Sequence, residues 1–206
     1  MLVQARHAQI HPMLRKIAVA FRLYGWIGFW AQLTMVFLSG FVLLLAMFGQ
    51  NFSPNANSGT AGGIFWAICG IALLVVAILF DFRYVRIAKS LLHEPGSVLH
   101  PKRHETLQLM RWGTGIGVVG MILALFGAGA SVGVLVAKTV SQPPGVAIVD
   151  PNRIVRALDV FVVLANLNLI AAHLIGTAIS FWLLDRIHHY RQQYHYEHLP
   201  EYLFGK

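Results

Sequence analysis

Three stretches of this chain contain no Lys, Arg, Asp or Glu: Leu23 to Phe80, Trp112 to Ala137 and Val160 to Leu184. Runs of that length leave few folds open. A hydrocarbon core about 30 Å thick takes roughly 20 helical residues to cross, so the second and third runs are one crossing each and the first is long enough for two. The centre of the first, Gly49 to Gly63, reads GQNFSPNANSGTAGG, with the Gly, Pro and Asn content of a turn. Barrel strands are the wrong length, being about 10 residues long with alternating polarity. Composition agrees: at 206 residues, 57% hydrophobic and 12% charged, the chain has more apolar side chain than a soluble domain can bury.

The predicted fold is therefore an all-α integral membrane protein, four transmembrane helices in a bundle. The helices are expected at about 24–48, 62–85, 112–137 and 158–184, within a transmembrane domain covering 23–185. Residues 1–22 make a basic lead, in which Ile10 to Arg22 has the pattern of a short amphipathic helix lying on the membrane. Residues 186–206 make a His- and Tyr-rich tail. The lead, with Arg6, Arg15, Lys16 and Arg22, is too extended for a cleavable signal, the apolar run after it is too long, and it lacks the Ser-rich character of a transit peptide. Cys69 is the single cysteine, which excludes an intrachain disulfide.

Charge sets the expected orientation. Thirteen Lys and Arg lie in the lead, the segment after the second helix and the tail, against three (Lys138, Arg153, Arg156) in the opposite loops. Both termini and the middle loop are thus expected on the cytoplasmic side. The formal charge of +8 is mostly this orientation signal, with attraction to anionic headgroups second, and no soluble domain remains to bind nucleic acid. Trp26, Trp30, Trp112 and Trp182 stand near helix ends, where amphipathic rings favour the headgroup region.

Small and polar residues show how the helices could meet. Gly113 and Gly117, and Gly129 and Gly133, are spaced four apart in the third helix, a spacing that lets backbones approach closely within the bundle or between copies of the chain. In the fourth helix Asp159, Asn166, His173 and Ser180 recur every seven residues, with Thr177 on the same side and Asn168 nearby. Seven residues are nearly two turns, so the set forms one polar stripe, which must face other helices, a cofactor or a wet cavity rather than lipid. Gln32 and Ser39 of the first helix share that spacing and are positioned to answer it. Lys138 and Asp159, flanking one loop, are expected to form an ion pair.

Three readings of His173 stand side by side: an imidazole hydrogen-bonded to a neighbouring helix, a relay or ligand in an ion path, and an axial ligand to a haem or a chlorophyll. A bis-histidine haem needs a second intramembrane histidine, whereas a chlorophyll magnesium needs one ligand. The other nine histidines lie outside the spans. His195 and His198, near Glu197 and Glu201, are candidate ligands for a divalent metal, although no spacing matches a closed zinc motif. A phosphate loop, a nucleophile in register with a base and paired intramembrane carboxylates are all missing, so the chain does not read as an enzyme.

GWIGFWAQL (Gly25 to Leu33), SVGVLVAKTV (Ser131 to Val140) and RALDVFVVLANLNLIAAH (Arg156 to His173) resemble the cyanobacterial and plastid membrane family that includes the chloroplast inner-envelope translocon subunit, also described as a chloroplast iron permease. The resemblance implies four helices, a link to iron permeation or protein import, and site positions at Gln32, Lys138, Asp159, Asn168 and His173. It also implies a glutamine where this chain has Leu164. Together with the untargeted lead it points to a cyanobacterial plasma or thylakoid membrane. Two functions are expected from different classes: a homo-oligomer linked to transport, and an accessory or assembly subunit of a larger, photosynthetic, membrane complex.

Overall fold

The computed structural model describes residues 12–51, 61–93, 103–141 and 156–197. Four helices account for nearly all of them: α1 (Pro12–Asn51), α2 (Ala61–His93), α3 (Arg103–Val140) and α4 (Ala157–Glu197). Each holds a span long and apolar enough to cross a bilayer: Ala18–Gly49, Ala61–Lys89, Thr106–Val140 and Ala157–Ile187. All four helices continue past the charge-free runs. The lead segment from Pro12 to Arg22 is continuous with the first span, as one 40-residue helix about 60 Å long, rather than a separate helix lying along the interface.

Sequential neighbours pack side by side, and α4 closes the ring by packing on both α3 and α1. The bundle is flattened. α2 touches α4 across the short diagonal, while among the described residues α1 and α3 do not approach each other. α4 therefore contacts all three other helices, and any residue on its inner side is enclosed.

Two apolar clusters fill the interior. One, built on Val42, Leu43, Leu74, Ala124, Leu169 and Ala172, occupies the half nearer the loop that joins α3 to α4. The other, built on Phe21, Tyr84, Ala88, Met110 and Leu183, occupies the half where α1 begins and α2 ends. The latter is the basic end, since Arg15, Lys16, Arg22, Arg83, Arg86 and Arg186 belong to it. Outside, large apolar side chains such as Phe37 (71% exposed) and Phe41, Leu125 and Phe181 point away from the bundle. Hydrophobic burial in water cannot account for that distribution, but hydrocarbon as the surrounding solvent does.

Candidate functional site: a polar seam along the fourth helix

Asp159, Asn166, His173 and Ser180 fall on the enclosed side of α4, each almost completely buried. Burying four polar groups inside a membrane protein is costly unless each finds a partner or water. A recurring device meets that need: a polar side chain from one helix lies against a glycine of its neighbour. A Cβ at Gly127 of α3 would land on the Asn166 amide, one at Gly120 on the His173 ring, and one at Gly117 on the Thr177 hydroxyl. A Cβ at Gly113 would meet the Tyr84 hydroxyl. The same arrangement runs in other directions, with Gln32 of α1 against Gly176 of α4 and Ser131 of α3 against Gly63 of α2.

Removing the neighbour's Cβ brings a polar tip within reach of backbone. Asn166 Nδ2 donates to the Gly63 carbonyl of α2 at 3.2 Å and to the Val162 carbonyl of its own helix at 2.9 Å. His173 Nε2 lies 3.1 Å from the Gly70 carbonyl. A carbonyl only accepts, so Nε2 carries a proton and donates it, while Nδ1 has no protein partner. Farther along, the Tyr84 and Ser180 hydroxyls are hydrogen-bonded at 3.1 Å. At the opposite end Lys138 Nζ donates to Asp159 Oδ2 at 2.5 Å, and the Arg156 backbone N–H donates to the same oxygen at 3.1 Å. An acidic residue in the first turn of α4 also suits the positive end of the helix dipole.

The candidate residues do not all share one face. Asn168 is two positions from Asn166, a rotation of about 200° around a helix, and turns to α1. There its Nδ2 donates to the Met35 carbonyl at 3.0 Å and to Ser39 Oγ at 2.6 Å. The glycines divide as well. Gly113 and Gly117 face the seam, whereas a Cβ at Gly129 or Gly133 would meet nothing within 4 Å, so these two lie on the outer surface. Leu164 is half exposed on the outside of α4, so a glutamine at that position would stand away from the seam. His198 and the His195 side chain lie outside the described residues.

One seam residue escaped the sequence reading. Asp81 of α2 is 2% exposed, and its carboxylate lies where a Cβ on Gly28 of α1 would come within 2.7 Å. Its position beside Arg83 and Arg86 at the end of an apolar run suggests an interfacial ion pair, yet both arginines are exposed and Asp81 points inward. A usable signal was its phase: Leu74, Asp81 and Ala88 are seven apart and all buried.

At the level of Asp81 the seam widens into a cavity of about 10 Å³ lined by all four helices, among them Gln32, Asp81, Gly117, His173 and Ser180. Both amide atoms of Gln32, Asp81 Oδ2, His173 Nδ1 and Thr177 Oγ1 have no protein hydrogen-bond partner. Among the described residues no three His, Cys, Asp or Glu side chains come together as metal ligands. A haem or chlorophyll does not fit at His173 either, because Nε2 is engaged by Gly70 and α3 lies directly against the ring at Gly120. At the basic end an open groove of about 560 Å³ runs between α1 and α4, lined by Arg15, Lys16, Tyr24, Trp182 and Arg186. The Arg186 guanidinium lies 5.0 Å from the Trp182 ring centre there.

Four apolar spans, a lipid-compatible exterior and an internal polar seam define a multi-pass helical membrane protein. Residues 11–188 match the family described as "Protein of unknown function (DUF3611)", and the chain belongs to that family. It is also 32% identical over 192 residues to Protein TIC 21, chloroplastic, of Arabidopsis thaliana, across 89% of this chain and 62% of the relative. The chain thus spans about three-fifths of that relative's length. No solved structure matches it.

Proposed function

We propose that this protein is a transport-linked membrane protein that acts as a homo-oligomer, with the seam along α4 as a path for a small ion. The observation that carries the reading is the line of buried polar groups from Asp159 through Asn166 and His173 to Ser180, two of them, Asn166 and His173, with an atom that no protein group satisfies. Polar residues inside a membrane bundle are expensive, and a permeation path is a common reason for them. Iron permeation and protein import are the two activities attached to the family resemblance. The seam's dimensions favour the first: a cavity of about 10 Å³ suits one dehydrated ion or water and leaves no room for an unfolded polypeptide. A divalent metal is the proposed species, passing one group at a time.

Placing both termini and the middle loop on the cytoplasmic side follows from the thirteen-to-three distribution of Lys and Arg, and a cyanobacterial plasma or thylakoid membrane is the proposed location. The oligomer is proposed because four helices without an internal repeat are a small unit for alternating access. Metal uptake by the purified chain in proteoliposomes tests the reading. His173→Ala should abolish uptake while leaving the folded amount near normal. Unchanged uptake would reduce the seam to packing.

A second reading, an accessory or assembly subunit of a larger complex, is favoured by Gly129 and Gly133, which open outward and leave room for a partner's helix. Native mass in a mild detergent separates the two. A small homo-oligomer without companions supports transport, and migration inside a large complex supports the subunit.

A further inference from the structure

Asp81 presents a problem that no contact within the bundle solves. Its Oδ2 is buried without a protein partner, and among the described residues no cation pairs with it. Gly28 of α1 lies directly against it, and Gln32 of α1, Gly113 of α3 and His173, Gly176 and Ser180 of α4 line the same cavity. The titratable groups around it are Tyr84, a turn away on α2 with its hydroxyl engaged by Ser180, and His173, nearly two turns deeper on α4. Neither forms an ion pair with it: the Tyr84 hydroxyl bonds to Ser180, and His173 Nε2 bonds to the Gly70 carbonyl. An ionised carboxylate in that setting has lost its water and gained no counter-charge, which is the costliest way to bury an acid.

Two features point to how the cost is avoided. The cavity beside Asp81 has about 10 Å³, near the least volume that holds one water. Gln32, on its wall, has both an unpartnered donor and an unpartnered acceptor, so one water could serve Asp81 and both functions of the amide. We propose that Asp81 is a proton-binding carboxyl inside the membrane, neutral when protonated, whose proton is shared with one internal water held by Gln32. Thr177 and His173 continue that polar line toward the centre of the bundle. The proposal concerns the state of one side chain and stands whether or not the seam carries a metal.

Infrared spectroscopy of the full chain in lipid nanodiscs near neutral pH tests it, because a protonated carboxylic acid has a carbonyl stretch separate from those of carboxylates and amides. The wild type should show that band, and exchange into heavy water should shift it. Asp81→Asn, which keeps the shape and neutrality of the protonated acid, should remove the band and retain the wild-type unfolding temperature. Asp81→Glu should retain a shifted band if Asp81→Asn expresses poorly, and Gln32→Ala should move the band by disturbing its water. A wild type without the band, or a band that survives Asp81→Asn, overturns the proposal. A band that Gln32→Ala leaves unmoved overturns the shared water.

Discussion

Replacing Gly120 with alanine tests the packing of the seam where α3 lies against the His173 ring. The added Cβ would land on the His173 ring, on the line where α3 and α4 pack together. The ring is fully buried and held at 3.1 Å by the Gly70 carbonyl, so it cannot simply turn aside. Either α3 moves away from α4, or His173 leaves its acceptor. Forcing a methyl into a packed interior costs about 1–3 kcal/mol, and losing the hydrogen bond adds roughly 1 kcal/mol. Alanine's better helix propensity returns about 1 kcal/mol. The expected net loss is about 1–3 kcal/mol, visible as an unfolding midpoint several degrees lower in a mild detergent. Gly129→Ala is the matched control, the same chemical change on the same helix where a Cβ meets nothing within 4 Å, and it should not lower the midpoint. Adding His173→Ala to Gly120→Ala should recover part of the loss, since the ring that opposes the methyl is gone. The reasoning is refuted if Gly120→Ala unfolds no lower than Gly129→Ala, or if the two seam substitutions are simply additive.

Other outcomes follow from the same contacts. Lys138→Met or Asp159→Asn alone should destabilise the end of the bundle by about 3 kcal/mol, because each strands a largely buried charge, while the double variant should lose clearly less than the sum; a double-mutant cycle in thermal unfolding reads this directly. Asn166→Ala, which frees the Gly63 carbonyl and opens a hole beside Gly127, should cost about 1–3 kcal/mol, and an unchanged midpoint would remove Asn166 from the structural framework. Gly129→Leu with Gly133→Leu should leave the monomer folded but dissociate an oligomer that packs on that face, seen as a smaller native mass. An unaltered mass would place the interface elsewhere.

Length and polarity along the chain determined the class of this protein. A run of apolar residues long enough to cross a membrane has to be a helix, because hydrocarbon offers no partner for an unpaired peptide group. Four spans, and a polar repeat in the fourth, were therefore legible in Leu23 to Phe80, Trp112 to Ala137 and Val160 to Leu184. Which way each residue turns was not. Helices that are apolar all round carry no water-facing side to mark the inner one, so Gly113–Gly117 and Gly129–Gly133 look alike in sequence and face opposite surroundings. Asn166 and Asn168 likewise reach different helices, and Asp81, next to two exposed arginines, turns into the bundle. Only the packing of α4 against three neighbours decided those directions, because in lipid a side chain's surroundings are set by the helix opposite it rather than by its own polarity.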